Sequence, residues 1–236
     1  LRTPQKAADL LPSRWQQQLE AKPELALLIT SEKEWLDRAT ALLETYFQLE
    51  DPTNFEPTHR ELHLEQDLAD DIYLHGYVDR LDVAPSGEVR IIDYKTGKVE
   101  KLELKSGELG LRNSILTGEL KPKILQLWLY KYLLASELLH VSPKNEKTFA
   151  GLSLQTHSIK PGIISFRNLK EGVLSDEEHD LWFESGPIWD TFLLDSQSVI
   201  EGWVRKILDV NTKFEKTKEV ADCQYCDFKV ICQREL

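Results

Sequence analysis

The sequence predicts a layered α/β or α+β domain, and three observations carry that expectation. Residues 31–48 have the spacing of an amphipathic helix, residues 77–94 contain two β-rich runs joined by a five-residue turn, and a second helical stretch from Pro122 is apolar on nearly every side. Strands interleaved with long helices pair into a sheet that the helices cover, because each element has a face to bury.

Ser31 stands at the N-cap of the first helix, with Glu34 at the capping-box position. Trp35, Leu36, Ala39, Leu42, Leu43, Tyr46 and Phe47 follow at helical spacing until Asp51-Pro52 ends the run. From Glu61 the pattern changes to alternation, with Leu62 and Leu64 on one side. Tyr77–Val83 and Val89–Tyr94 then flank the turn-forming Ala84-Pro85-Ser86-Gly87-Glu88, which reads as a β-hairpin. Pro122 opens a helix running to about His140, and Ile124, Leu125, Leu127, Trp128, Leu129, Leu133, Leu134 and Leu138 mark it as buried. Phe149–His157 and Gly162–Phe166 read as two strands around Lys160-Pro161-Gly162, and residues 170–190 are acidic and turn-rich. Asp195 or Ser196 is expected to cap a last helix with Val199, Ile200, Trp203, Val204, Ile207 and Leu208 on one face. There is no internal repeat and no low-complexity linker.

In 236 residues a 41% hydrophobic composition supports a well-filled core. No run approaches the roughly 18 apolar residues needed to cross a bilayer. The first thirty residues mix Arg2, Lys6, Asp9, Arg14 and Glu20 without an apolar signal core, so a cytoplasmic location and no membrane partner are expected. The chain opens at Leu1 in a polar sequence and has no methionine, which predicts a piece of a longer protein.

The net charge of −11 argues against a protein that coats nucleic acid with a uniformly basic surface. The distribution is uneven: residues 1–94 hold nine basic and 19 acidic side chains, residues 95–131 hold eight and four, and residues 132–236 hold 12 and 17. The basic stretch runs through Lys95, Lys98, Lys101, Lys105, Arg112, Lys121, Lys123 and Lys131. Taken alone it fits a solvated face as well as a phosphate track.

The hairpin carries the chemistry. Symmetric closure about Ser86 pairs Val83 with Val89, Leu81 with Ile91, and Asp79 with Asp93, and the period of two puts all six on one face. Lys95 lies two residues beyond Asp93 on the same side. Like charges directly opposite in a sheet are destabilising, and a divalent cation removes that objection. Mg²⁺ takes oxygen ligands, commonly one or two carboxylates with water and substrate phosphate, and here the Tyr94 carbonyl is in reach as a third oxygen. A lysine beside such an ion can orient the attacking water or stabilise charge on phosphate. The bland alternative is an ordinary hairpin in which the two acids form salt bridges with Arg80, Arg90 or Lys95.

Gly76-Tyr77-Val78-Asp79-Arg80-Leu81-Asp82, followed by Ile91-Ile92-Asp93-Tyr94-Lys95-Thr96-Gly97, resembles the G-x-(I/V)-D-R-x-D and D-Y-K-(T/S)-G signatures of the RecB-like branch of the PD-(D/E)XK nucleases. Gln126 and Tyr130 reproduce the branch's Q-x-x-x-Y helix motif, and their i, i+4 spacing puts both on one helix face. Alone, Gln126 would read as a hydrogen-bonded core residue and Tyr130 as a core aromatic. Glu61 is similar in place to a family strand glutamate near the site. Family members also place a helix with a metal-ligating His, and often a first cluster cysteine, upstream of the region matched here. No Cys precedes Cys223, and His59, His63 and His75 are not in that helix context; each reads as an exposed strand or loop residue.

Cys223, Cys226 and Cys232 fall within ten residues, which disfavours a disulfide scaffold and favours a soft-metal site, a zinc knuckle and buried reduced thiols being the alternatives. The group is similar to the three cysteines that help hold a [4Fe–4S] cluster in several members of the branch. A four-thiolate cluster needs one ligand more than this sequence supplies.

The resemblance implies a PD-(D/E)XK restriction-endonuclease-like core, a central mixed β-sheet flanked by helices. It implies a single nuclease domain over 1–236: a helical part over 1–60, a catalytic core over 61–170, a C-terminal helical part over 171–220 and a cysteine segment over 221–236. The implied activity is Mg²⁺- or Mn²⁺-dependent hydrolysis of DNA, as an exonuclease in repair or recombination, with a helicase subunit as a possible partner in such machines. Asp79, Asp93 and Tyr94 would hold the metal, Lys95 would act on water or phosphate, and Gln126 and Tyr130 would position substrate. The rivals are a catalytically inactive nuclease-fold module that binds DNA or assembles a complex, and a zinc-knuckle interaction domain. Intact Asp79, Asp93 and Lys95 count against the first, and the hairpin acids are unexplained by the second.

Overall fold

The computed structural model describes residues 3–28, 31–50, 56–69, 72–100, 113–114, 121–139, 149, 152–153, 158–175, 188–213, 215–218, 220–224 and 226–234. The chain divides into two units, Leu1–Gln197 and Ser198–Leu236.

The first unit opens with two helices, α1 (Pro4–Ala21) and α2 (Glu32–Leu49), which pack on each other. Both are capped by a hydroxyl that accepts an otherwise orphaned backbone N–H: Thr3 Oγ1 from Lys6 and Ser31 Oγ from Glu34, each at 3.3 Å. Three antiparallel strands follow, β1 (Glu56–Ala69), β2 (Ile72–Val83) and β3 (Glu88–Lys95). The β2–β3 hairpin has the symmetric register, with Val83 opposite Val89, Leu81 opposite Ile91, and Arg80 opposite Ile92. Gly87 takes a φ of 86° in the turn, a conformation that glycine adopts without a Cβ clash.

Helix α3 (Pro122–Leu139) lies between β3 and the parallel strand β4 (Ser158–Ser165), and a two-residue β5 (Val173–Leu174) completes a mixed sheet in the order β1-β2-β3-β4-β5. A parallel pair requires a crossover of this kind, since a hairpin cannot reverse the chain twice. Trp128, Leu127, Ile124 and Leu134 of α3 are fully buried, as its nearly all-round apolar sequence predicts. The sheet's two faces differ. Leu81, Ile91 and Asp93 face α3, whereas Ile92 joins Ile164 and Leu169 in a cluster with Leu42 and Tyr46 of α2.

Two expectations are corrected. Lys160-Pro161-Gly162 does not separate two strands but lies inside β4, where Pro161 pairs with Ile91. Phe166 N–H donates to Lys95 O, so alternate β4 residues present their N–H groups to β3 and Pro161 falls on the other edge, beyond the span paired with β5. No donor is missed there. Gly162 is required by close approach: a Cβ would stand 2.5 Å from Val173 Cγ1 and 3.2 Å from Leu174 O. Phe149, Leu152 and Ser153 are not in a strand, and residues 154–157 lie outside the described residues.

The last helix, α4 (Ile188–Leu208), starts well before Asp195 and Ser196 and crosses the boundary of the two units. Its buried positions Trp189, Phe192, Leu193, Ser196 and Ile200 continue one helical stripe, and Ser196 is used there as a buried acceptor for Trp128 Nε1 at 3.1 Å. The acidic, turn-rich stretch includes β5 and a 3-10 turn at Leu169–Glu171; residues 176–187 lie outside the described residues. Among the described residues no helix is long and apolar enough to cross a membrane.

Candidate active site

The β2–β3 hairpin brings its acids to one end, and the ladder opens where they meet. Continuing the register of Arg80 opposite Ile92 by one step places Asp79 opposite Asp93, but at that step Asp79 Oδ2 instead accepts the backbone N–H of Tyr94 at 2.7 Å. Consecutive strand residues direct their backbone groups to opposite edges, and Lys95 O is taken by Phe166 of the neighbouring loop, so the N–H and C=O of Tyr94 both face β2. The opening between β2 and β3 is thereby lined by carboxylate and carbonyl oxygens.

Asp93 is 3% exposed and is held from α3. Gln126 Nε2 donates to Asp93 Oδ1 at 3.1 Å and lies 2.9 Å from the Tyr130 hydroxyl, while Gln126 Oε1 accepts from Lys95 Nζ at 2.9 Å. Lys95 Nζ also stands 2.8 Å from Asp93 Oδ2. This ion pair is the contact that the buried Oδ2 makes among the described residues. Burial pushes the Asp93 carboxyl above its ordinary pKa, Lys95 opposes the shift, and the charge of Asp79 adds to it. Burial likewise raises the Tyr130 phenol, with the charges of Asp93 and Asp79 in the same direction.

Gly76 sets how closely α3 can approach. A Cβ at this position would come within 3.3 Å of Tyr130 Cε1 and 3.4 Å of Leu133 Cδ1, so the first residue of the hairpin motif makes room for the tyrosine of the helix motif. Asp79, Asp93, Tyr94, Lys95, Gln126 and Tyr130 are therefore brought together.

Arg80 and Arg90 are not partners of the two acids. Both lie on the opposite face of the hairpin, in a network that spacing did not single out. Arg80 binds Asp82 through two 2.6 Å contacts and Glu50 at 2.7 Å; Arg90 reaches Asp82 at 2.7 Å and Glu50 at 2.9 Å. Arg80 Nη1 also donates to the hydroxyls of Tyr46 and Tyr94, which are hydrogen-bonded to each other at 2.9 Å. Burial alone would lower the Arg80 pKa, but Asp82 and the tyrosines outweigh it and the guanidinium is held firmly charged. The signal was present in the alternation: residues 80, 82 and 90 have the parity opposite to 79, 81 and 91.

Other sequence expectations resolve as follows. His63 and His75 are exposed and their rings neighbour each other at 5.7 Å, with Tyr77 4.7 Å from His63; His59 is half-buried beside Thr58. Glu61 is exposed, in β1, with a φ of 49°, and by the β1–β2 register it faces Asp79 across the strands. In the basic stretch, Lys131 is 1% exposed with its Nζ 5.6 Å from the centre of the Trp189 ring, so it is a core residue and no part of a phosphate track. Its long stem continues the apolar face of α3. Lys98 pairs with Glu100, Lys121 is exposed, and Lys101, Lys105 and Arg112 lie outside the described residues.

In the second unit Cys223 ends a 3-10 turn at Val220–Cys223 and is buried, while Cys226 and Cys232 are half-buried; all three are free thiols. Among the described residues no three His, Cys, Asp or Glu side chains are gathered as a metal site. The triplet supplies three thiols, one fewer than a four-thiolate cluster takes. The hairpin acids do fit a hard divalent cation: two carboxylates on adjacent strands, one of them buried, beside a backbone carbonyl directed into the same opening.

No curated protein matches the chain. Residues 2–233 match the sequence model described as the PD-(D/E)XK nuclease superfamily, and the mixed five-stranded sheet with flanking helices agrees with it. The chain belongs to the PD-(D/E)XK nuclease superfamily.

Proposed function

We propose that the chain is a divalent-metal-dependent deoxyribonuclease of the RecB-like branch, working as an exonuclease in DNA repair or recombination, with residues 1–236 as its nuclease domain. The observation that carries this reading is the buried Asp93 carboxylate, paired with Lys95 at the open end of the hairpin where Asp79 is also held. A buried carboxylate is costly unless cations share its charge; Lys95 is one, and a metal ion held jointly with Asp79 would take the remaining lone pairs.

Asp79, Asp93 and the Tyr94 carbonyl would hold Mg²⁺ or Mn²⁺. Such an ion supplies Lewis acidity, polarising the phosphoryl group and acidifying water. The remaining work falls to the chain. Tyr94 N–H fixes Asp79, and Gln126 fixes both Asp93 and Lys95. An ammonium has three N–H donors, and with Asp93 and Gln126 engaged a third remains to orient water or bind a phosphate oxygen. Tyr130, held by Gln126, presents a neutral phenol to the substrate side. Lys98, Lys121 and Lys123 lie in the basic stretch that would follow the nucleic-acid backbone.

The test is digestion of end-labelled linear, circular and single-stranded DNA in Mg²⁺ and in Mn²⁺. Asp93→Ala or Lys95→Ala should abolish cleavage, by about 10²-fold or more, with far-UV circular dichroism unchanged. Variants that cut at the wild-type rate would remove the reaction from this hairpin; tight binding without cleavage by the wild type would point to an inactive DNA-binding or assembly module.

A further inference from the structure

Beside the acids lies a cavity that the metal chemistry does not use. It is bounded by the start of β2 and the first turns of α3, holds about 220 Å³, and is walled by Leu74, Pro122, Leu125, Leu129 and Leu133, with the exposed His75 at its rim. Gln126 and Tyr130 form the wall shared with the active site. The polar end of Gln126 is turned away from the cavity's leucines: its nitrogen serves Asp93 and Tyr130, and its oxygen serves Lys95. Even the shared wall therefore offers mainly carbon to an occupant. Gly76, also on the lining, keeps the Tyr130 ring against the backbone of β2 and so preserves the space.

We propose that this cavity receives one unpaired nucleobase of the strand being cut, seated next to the scissile phosphate. The inference rests on the nuclease reading above and adds the substrate class, a single-stranded or frayed end. Three features support that occupant. The cavity adjoins the carboxylates through two shared residues, so a phosphate at Asp79 and Asp93 leaves its own nucleoside beside Gln126 and Tyr130. Its volume is below the roughly 300–1,000 Å³ of a site for a drug-sized ligand, which suits one planar ring system with its sugar outside. Its apolar walls meet the faces of a ring and provide few partners for the edges, so all four bases are accepted. A base in a duplex cannot enter without losing its stack and its pair, which costs a few kcal/mol and least at an end or in a single strand.

The experiment uses single-stranded oligonucleotides that each carry one abasic residue, placed at successive positions around the cleavage site mapped on the unmodified strand. Expected is a fall in kcat/KM of about 5- to 150-fold at one position, with any of the four bases there restoring it. Leu129→Trp, which fills the cavity, should slow cleavage of the unmodified strand and abolish the dependence on that position; Leu125→Ala provides a second variant that enlarges it without added bulk. The same scan read as Kd with Lys95→Ala protein should weaken at the same position. Normal cleavage with a flat scan, or a positional effect that survives in Leu129→Trp, overturns the cavity assignment and leaves the nuclease reading standing. No cleavage of any strand by the wild type overturns the nuclease reading and the cavity assignment with it.

Discussion

Arg80→Met should destabilise the protein far more than the loss of a surface ion pair. Asp82 is completely buried, and Arg80 binds it bidentately while also reaching Glu50 and two tyrosine hydroxyls. The native group balances Arg80 and Arg90 against Glu50 and Asp82; the variant leaves two carboxylates facing Arg90 alone. Removing one partner from a buried pair typically costs about 3–5 kcal/mol, because the remaining charge is stranded in a poorly polarisable interior. That is a large part of the ~5–15 kcal/mol that holds a domain together, and for a chain of this size it lowers Tm by on the order of 10 °C. Urea denaturation and thermal melting followed by circular dichroism measure it. The double variant Arg80→Met/Asp82→Leu removes charge and countercharge together and should recover most of the loss. A single-variant cost below about 1 kcal/mol, the range of exposed pairs, would refute the reasoning.

Other outcomes follow from the same structure. In the presence of a chelator, Asp93→Asn should gain stability over the wild type as pH rises. The folded carboxyl has a raised pKa, so the folded state binds more protons than the unfolded state above 3.8, and wild-type stability falls through that window; melting from pH about 4 to 7 checks the sign, and a constant or reversed difference would count against it. Gly162→Ala should cost about 1–3 kcal/mol, because the new methyl meets Val173 and the Leu174 carbonyl in the strand pairing; unchanged urea midpoints would show that β5 yields freely. For Cys223, Cys226 and Cys232, anaerobic reconstitution with iron and sulfide tests the [4Fe–4S] reading: brown colour lost in Cys226→Ser supports it, and about one zinc per chain in colourless protein would replace it with a zinc knuckle.

Much of the site could be read along the chain because its determinants are local. A symmetric turn sets the hairpin register, and a period of two then delivers Asp79, Asp93 and Lys95 to one face. The spacing of Gln126 and Tyr130 puts both on one helix face whatever the helix packs against. What was missed depends on neighbours distant in sequence. Pro161 is tolerated in β4 because of which edge β5 covers, and Gly162 is there because Val173 is close. Lys131 is buried over Trp189, 58 residues away, which no local charge pattern shows. Glu50 stands at the end of α2 as an unremarkable charged residue until the fold brings it to Arg80 and Arg90. The start of α4 was misplaced because Asp195 and Ser196 resemble a cap, whereas Trp189 and Phe192 already belong to the buried stripe.

Tyr94 works on both sides of the sheet. Its backbone N–H clamps Asp79, and its hydroxyl is tied to Tyr46 of α2 and to Arg80. The two faces are thereby coupled through one residue: a change that draws the Tyr94 side chain away from Tyr46 and Arg80 also shifts the N–H that holds Asp79.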